Sequence, residues 1–238
     1  FINALKADSI DNVIEKKNKI LENINDYSCK FAYLIKSLMN STYKSFFDTT
    51  TQNHYPTGKV LIYSNFREIV SGGVGFIGKL LEIEGLDFYN LENVFLNIVD
   101  TLFESTEEKE QQKNGYFEDT LKNKIIQAYL QIIEDNPEYR NKVFYMWKAS
   151  DSKSTKMNYI AHIIYDNVEN RDGDLLRIMF ITKSGSEGIS FKTIRQVHII
   201  EPYWQQTREK QVIGRAVRRG SHDILEESKR NVFVYKYL

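Results

Sequence analysis

Residues 177–219 read RIMFITKSGSEGISFKTIRQVHIIEPYWQQTREKQVIGRAVRR, and this stretch decides the fold. It contains two short apolar runs, at 177–181 and 197–200, and then a segment of helical length at 205–219. The runs are apolar without in/out alternation, as a strand must be when both faces of a parallel sheet are covered. A strand, a connection, a second strand and a helix in this order predict an α/β architecture.

Three further apolar runs, at 60–63, 143–147 and 232–235, extend the same pattern along the chain. Helix-length segments at 74–85 and 154–168 lie between them. Strands that alternate with helices in this way predict a parallel sheet with right-handed crossovers and helices on both faces.

The first sixty residues have a different pattern. Apolar positions in 10–40 recur at spacings of 3, 4 and 7, which predicts helix. A break is expected at 25–28, where Asp26 or Ser28 provides the cap of a second helix. The polar stretch 48–58 contains Pro-Thr-Gly and predicts a loop.

Charge is distributed unevenly although the formal net charge is zero. Residues 88–142 are too long for one connection, and amphipathic helical patterns on either side of 104–119 predict a helical insertion. Six acids and two bases lie between Glu104 and Asp119, whereas seven bases and two acids lie between Lys192 and Gly220. We therefore predict a basic C-terminal face beside an acidic insertion, with two ordinary solvated faces as the alternative.

Composition excludes several classes of protein. The 238 residues are 42% hydrophobic, 13% aromatic and 27% charged, unlike disordered or collagen-like chains. No apolar run approaches the roughly 18 residues of a bilayer span. The single cysteine, Cys29, excludes an internal disulfide framework, and four scattered histidines argue against a zinc site. Because residue 1 is Phe rather than Met, we expect the chain to be a piece of a longer protein.

A glycine motif at 73–78, GVGFIG, matches the G-x-G-x-x-G fingerprint of dinucleotide-binding proteins. The run 94–100 resembles the second strand of that fold, ending in its ribose-binding acid. However, 67–72 separate the motif from the preceding apolar run, and 94–100 continue a helical period. We predict a loop with a close helix–strand contact, and keep an NAD-dependent oxidoreductase as a remote alternative.

A complete phosphate-binding loop is absent from the sequence. Gly-Lys occurs at 58–59 and 78–79, followed by Val60 and Leu80 instead of the Ser or Thr that holds magnesium. There is also no Asp-Glu pair to serve as an acidic metal-binding box. The chain is therefore not a self-sufficient nucleoside triphosphatase.

Two segments in the last quarter indicate anion binding. Residues 181–189, ITKSGSEGI, form a turn of small residues after a strand, where exposed N–H groups can meet phosphates. If the helix continues, Gln211, Arg215 and Arg218 lie at i, i+4 and i+7 on one face. Two arginines without an acid at helical spacing predict an anion site, and a solvated basic helix end is the alternative. Three apolar residues are expected to fix this helix: Val212, Ile213 and Val217.

The pattern Q-x-x-G-R-x-x-R at 211–218, preceded by S-G-S-E-G-I-S at 184–190, resembles motifs VI and V of superfamily 2 helicases. More closely, it resembles the Snf-type DNA translocases and their relatives in large cytoplasmic DNA viruses, such as poxviral nucleoside triphosphatase I and the early transcription factor small subunit. Residues 28–31 resemble the helix that opens the family's second motor domain, 59–66 resemble motif IV, and 201–204 resemble the segment before motif VI.

The resemblance implies a RecA-like domain over 28–238, with the insertion at about 88–142. A helical lead-in at 1–27 would come from a first motor domain, which would bind most of the ATP and Mg²⁺. Arg215 and Arg218 would act catalytically by reaching across the cleft to the γ-phosphate, with Arg218 as the arginine finger.

The resemblance also implies contacts on two surfaces. The residues implied in the ATP cleft are Gln211, Gly188 and Glu187. The residues implied in nucleic-acid binding are Ser64, Asn65, Lys183, Ser184, Gly185 and Ser186. These would hold the phosphates of one strand without reading bases, so binding would be salt-sensitive and independent of sequence.

In function, the resemblance implies the second motor domain of an ATP-dependent helicase or DNA translocase in viral transcription. Its partners would be nucleic acid (DNA rather than RNA), the first motor domain and the viral RNA polymerase, with no membrane. The location would be the host cytoplasm and the virion, and this domain alone would be inactive. The alternative from another class is a motor-derived scaffold that binds DNA or polymerase without hydrolysing ATP.

Overall fold

A computed structural model of the chain describes residues 23–40, 46–48, 53–67, 72–83, 86–103, 115–148, 151–183, 189–202 and 206–237. Its helices and strands are, in chain order, α1 (Cys29–Asn40), β1 (Phe46–Asp48), β2 (Asn53–Tyr55), β3 (Lys59–Tyr63), α2 (Val74–Leu81), β4 (Tyr89–Asn90), α3 (Glu92–Phe103), α4 (Gly115–Asp135), β5 (Val143–Met146), α5 (Ser152–Tyr165), β6 (Ile178–Ile181), β7 (Ile194–Ile199), α6 (Gln206–Ala216) and β8 (Phe233–Lys236).

A six-stranded sheet in the order β4-β5-β6-β3-β7-β8 forms the centre of the domain. Every neighbouring pair in it is parallel. The five apolar runs all form strands, so the predicted parallel α/β fold is confirmed. The edge strand β4 was not predicted, because two half-buried residues are too few to show a pattern.

Helices cover both faces of the sheet, as predicted. On the central strand β3, Val60 and Ile62 pack with α1 and α2, whereas Leu61 and Tyr63 pack with α3, α4, α5 and α6. All four side chains are buried. Burial on both faces explains why the strand sequence does not alternate, and each such side chain contributes about 1.5–3 kcal/mol of hydrophobic free energy.

The segment 88–142 is helical, as predicted, but it is packed into the main core. Phe95 of α3 and Ile125 of α4 are buried in the same cluster as Leu61. Tyr129 is also buried, and its hydroxyl donates a hydrogen bond to Leu175 O at 2.6 Å. These helices are therefore part of the domain's structure, while the acidic stretch 104–114 lies outside the described residues.

Of the two predictions for the N-terminal part of the chain, the helix break at 25–28 is confirmed and the loop at 48–58 is wrong. Residues 23–27 are helical and α1 begins after Ser28, whose Oγ accepts a hydrogen bond from the Phe31 N–H at 3.3 Å. This is the predicted break and cap, while residues 1–22 lie outside the described residues. The segment 48–58 is not wholly a loop, because β1 and β2 pair in an antiparallel ladder. Main-chain pairing over three residues needs no apolar pattern, so this ladder could not be predicted from hydrophobic periodicity.

Candidate functional site

The described site residues lie at opposite ends of the sheet. Ser64 and Asn65 follow β3 and Lys183 follows β6, at the carboxyl end of the parallel strands. Arg215 lies at the end of α6, beside the start of β7, since its carbonyl accepts a hydrogen bond from the Phe191 N–H at 3.1 Å. The six residues of β7 put these two ends roughly 17 Å apart.

At the carboxyl end, Glu201 joins the segment after β3 to the end of β7. The Ser64 hydroxyl donates to Glu201 Oε2 at 2.7 Å, and the Asn65 N–H donates to the same oxygen at 3.1 Å. Ser64 is fully buried, so its hydroxyl does not face solvent. The expected direct contact between the Ser64 side chain and a phosphate therefore does not fit, and Ser64 instead holds the strand ends together.

The same network includes the start of α6. Asn65 Oδ1 accepts hydrogen bonds from the Tyr63 hydroxyl at 2.9 Å and from Arg208 Nη1 at 3.4 Å. Burial raises the pKa of Tyr63, so its hydroxyl remains a donor. Helix α6 thus begins at the Asn65 network and ends beside the start of β7. Sequence reasoning missed Glu201 and Arg208 as site residues, although an acid directly after a buried strand is a usable signal.

Exposed groups at the carboxyl end are mainly basic. Lys183 and Arg67 are exposed, and Phe66 is 48% exposed. The backbone at 66 and 67 is fixed, because its carbonyls accept hydrogen bonds from Val74 N at 3.1 Å and Gly75 N at 3.0 Å. A rigid segment that presents a cation is suited to hold a phosphate backbone.

The predicted basic face is less uniform than the sequence indicates. Lys192, Lys210, Arg218 and Arg219 are exposed. Arg195 is buried, and its Nη1 donates to a main-chain carbonyl at 2.6 Å. Burial lowers the pKa of Arg195. The side chain therefore belongs to the interior and adds little to a surface that binds anions.

The glycine motif at 73–78 is explained by packing. A Cβ on Gly73 would lie 2.1 Å from Phe66 O, and one on Gly78 would lie 3.3 Å from side chains of β5. The first N–H groups of α2 already donate to carbonyls, so they are not free for a pyrophosphate. Residues 94–100 lie inside helix α3, as their period indicates. These observations favour the predicted helix–strand contact over a nicotinamide site.

Helix α6 is too short to place Gln211, Arg215 and Arg218 together on one helix face. It ends at Ala216, so Arg218 lies in the following turn and does not share a helix face with Gln211, which corrects the i, i+7 expectation. Val212 and Ala216 are fully buried and fix the helix, whereas Val217 is 54% exposed and does not.

The two arginines of the motif have different environments. Arg215 is half-buried, and its Nη1 donates to Ile189 O at 2.8 Å, which ties α6 to the segment before β7. Arg218 is exposed, and within the described ranges its guanidinium has no hydrogen-bond or ion-pair partner. Gln211 is also exposed on α6. The predicted residues Ser184, Gly185, Ser186, Glu187 and Gly188 lie outside the described residues.

Among the described residues, no group of three His, Cys, Asp or Glu side chains could hold a metal ion. None of the helices in this part of the chain is long and apolar enough to cross a bilayer.

Comparison with known proteins identifies the domain. Residues 154–220 match the family described as "Helicase conserved C-terminal domain". The chain is 28% identical over 181 residues to "Termination factor NPH-I homolog" of African swine fever virus, covering 76% of this chain and 24% of that protein. It is 25% identical over 227 residues to "Putative ATP-dependent RNA helicase R563" of Acanthamoeba polyphaga mimivirus, covering 95% and 28%. It is 39% identical over 84 residues to "Nucleoside triphosphatase I" of Choristoneura fumiferana entomopoxvirus, covering 35% and 13%.

The chain spans about a quarter of the length of the first of these relatives. The matched region begins in α5 and ends at Gly220, so it contains β6, β7, α6 and both motif arginines. The resemblance in the sequence is thereby confirmed: residues 154–220 match a helicase C-terminal domain, and the chain is similar to helicases and nucleoside triphosphatases of large DNA viruses.

Proposed function

We propose that this chain is the second motor domain of an ATP-dependent helicase or DNA translocase. The observation that carries the proposal is the division of the site between the two ends of one sheet. One end presents Arg67 and Lys183, the other presents Arg218, and α6 connects the two. In this arrangement nucleic acid and nucleotide occupy separate surfaces of the same rigid element.

On the nucleotide side, Arg218 supplies positive charge to a γ-phosphate held by a first motor domain, which would also hold Mg²⁺. An exposed guanidinium that has no partner among the described residues fits a group that acts on another surface. A finger of this kind contributes roughly 10³–10⁵ in rate in comparable NTPases. Arg215, bonded to Ile189 O, holds the segment that carries the cleft residues Glu187 and Gly188. Gln211 lies on the exposed side of the same helix.

On the nucleic-acid side, we propose that the carboxyl end of the sheet holds the phosphates of one strand. Lys183 and Arg67 provide charge, and Asn65 and the segment Ser184–Ser186 provide polar groups. Ser64 orients Asn65 from the interior through Glu201. Binding through phosphates is independent of base sequence and weakens with salt. ATP-driven closure of two motor domains would then move these phosphate contacts along the strand.

The division into domains is part of the proposal. Residues 28–238 would form the second motor domain, and residues 1–27 would lead in from the first. The termination factor homolog is about four times as long as the part of it that this chain matches, which leaves ample length for a first motor domain. One relative is named a termination factor and another a putative RNA helicase. We therefore propose a role in viral transcription in the host cytoplasm and virion, with RNA polymerase as a partner and DNA as the preferred strand.

The test is ATP hydrolysis by the full-length protein with no nucleic acid, with single-stranded DNA and with RNA of the same sequence. The proposal expects hydrolysis that DNA stimulates more than RNA, and no hydrolysis by the 238-residue chain alone. Stimulation by RNA only would correct the substrate. A full-length protein that binds DNA but hydrolyses nothing under all conditions would replace the motor by a scaffold.

A further inference from the structure

The turn that follows α6 is fixed to its surroundings through Ser221. Gly220 has φ +80, a conformation that glycine adopts without strain, and it reverses the chain just after Arg218 and Arg219. The Ser221 N–H then donates to Arg218 O at 3.0 Å. None of the helicase motifs in the sequence includes Ser221 or the residue after it.

The Ser221 side chain binds both the N–H and the carbonyl of Arg218. Ser221 Oγ donates to Arg218 O at 2.7 Å and accepts from the Arg218 N–H at 3.3 Å. Ser221 is only 7% exposed, so these bonds are sheltered from water. The buried hydroxyl therefore contacts both polar main-chain groups of Arg218, and among the described residues the N–H is the one of these two groups that is bound by the hydroxyl alone.

Ser221 is itself anchored to β7. His222 Nδ1 lies 2.8 Å from Ser221 Oγ, and His222 Nε2 lies 2.7 Å from Ile194 O. Because a carbonyl oxygen only accepts, Nε2 carries a proton and donates it to this bond. Ser221 O accepts from the Thr193 N–H at 2.9 Å. The turn is thus held at two points, to Ile194 at the start of β7 and to Thr193 directly before it.

We propose that Ser221 and His222 are positioning residues for Arg218 in ATP hydrolysis. The proposal rests on the function proposed above, in which Arg218 is the arginine finger. The Arg218 main chain is fixed by side-chain bonds while its guanidinium extends into solvent, which is the arrangement of a preorganised electrostatic group. Displacement of such a group by about 1 Å can cost up to about 10²-fold in rate. Neither Ser221 nor His222 needs to touch ATP for this effect.

The experiment compares steady-state ATP hydrolysis by full-length variants in the presence of saturating DNA. Ser221→Ala is expected to lower kcat about 10- to 100-fold with the KM for ATP changed less than about twofold. Ser221→Thr, which retains the hydroxyl, is expected to restore most of the rate. Ser228→Ala is the matched control, since Ser228 is an exposed serine in the next turn of the chain.

Hydrogen exchange in the 238-residue chain provides an independent readout. Ser221→Ala removes the acceptor of the Arg218 N–H and is expected to speed exchange at that amide, whereas the amides of β7 remain protected. If Ser221→Ala does not fold, His222→Ala tests the same positioning role, because it keeps the Ser221 hydroxyl and removes the imidazole that joins this hydroxyl to Ile194 O.

The outcomes separate the two claims. Unchanged kcat in Ser221→Ala together with a large loss in Arg218→Ala overturns the positioning role and leaves the finger in place. Unchanged kcat in Arg218→Ala overturns the proposed finger itself. Equal loss in Ser221→Ala and Ser221→Thr, with equally lowered melting temperatures, would show that the hydroxyl has only a structural role.

Discussion

Asn170 offers the sharpest test of the packing that supports the domain. It is fully buried in the turn between α5 and β6. Its Oδ1 accepts hydrogen bonds from the N–H groups of Leu175 at 2.9 Å and Leu176 at 3.0 Å. Its Nδ2 donates to Tyr165 O at 3.1 Å and Leu176 O at 2.9 Å. One side chain therefore satisfies four main-chain groups.

Asn170→Ala leaves two buried N–H groups without an acceptor. Each such orphan costs about 1–3 kcal/mol, so we expect a loss of about 3–4 kcal/mol in the free energy of unfolding. Tyr165 O contributes little to this loss, because it keeps a hydrogen bond from Lys59 Nζ at 2.6 Å. The expected decrease in the urea midpoint is about 1–2 M.

The assay is urea denaturation of the chain followed by far-UV circular dichroism, with Asn167→Ala as the matched control. Asn167 lies in the same turn, and its Oδ1 accepts a single hydrogen bond, from the exposed Glu169 N–H at 2.8 Å. We expect that control to cost about 1 kcal/mol or less. If Asn170→Ala and Asn167→Ala lower the free energy of unfolding equally, the loss does not come from the unpaired N–H groups of Leu175 and Leu176, contrary to this prediction.

Two further predictions concern stability and its relation to function. A Cβ on Gly214 would meet no heavy atom of the described residues within 4 Å, so Gly214→Ala should stabilise the chain by about 0.5–1 kcal/mol, measured by urea denaturation. In the full-length protein the same change should lower DNA-stimulated hydrolysis, because the open space would face the nucleotide cleft; unchanged hydrolysis would count against that placement. Burial lowers the pKa of Lys59 from 10.5 to about 7, so between these pH values the unfolded chain keeps a proton that the folded chain has lost. Stability should therefore rise with pH in this window, by roughly 1 kcal/mol per pH unit, and Lys59→Met should remove that slope; equal slopes between pH 7 and 9 would contradict the assignment.

The sheet could be predicted from the sequence to the extent that burial on both faces leaves a continuous apolar run. Five strands carry apolar runs, and all five were found. Four of them are almost wholly buried, whereas the edge strand β8 alternates half-buried and exposed residues. The edge strand β4 has two half-buried residues, and β1 and β2 pair through their main chains in a polar segment. In these three strands hydrogen bonding forms the structure without an apolar pattern, and no periodicity could have revealed them.

The candidate site could be located from its motifs, but its contacts could not be predicted. Ser64 is buried because it pairs with Glu201, which is 137 positions away in the chain. Arg218 lies outside the helix, where Ser221 Oγ binds its main-chain N–H and carbonyl in place of helical hydrogen bonds. The spacing of residues in the sequence does not show that a side chain competes in this way. Burial and helix ends of this kind depend on tertiary contacts between distant residues.

The most direct test of the proposed arginine finger is DNA-stimulated ATP hydrolysis by the full-length protein, comparing Arg218→Ala with Arg219→Ala. Both arginines are exposed neighbours in the turn after α6, so the two variants change surface charge equally. We expect Arg218→Ala to lower kcat at least about a hundredfold, while Arg219→Ala stays within about twofold of the unmodified protein. Equal effects of the two substitutions, or full activity in Arg218→Ala, would contradict the role of Arg218 as the arginine finger.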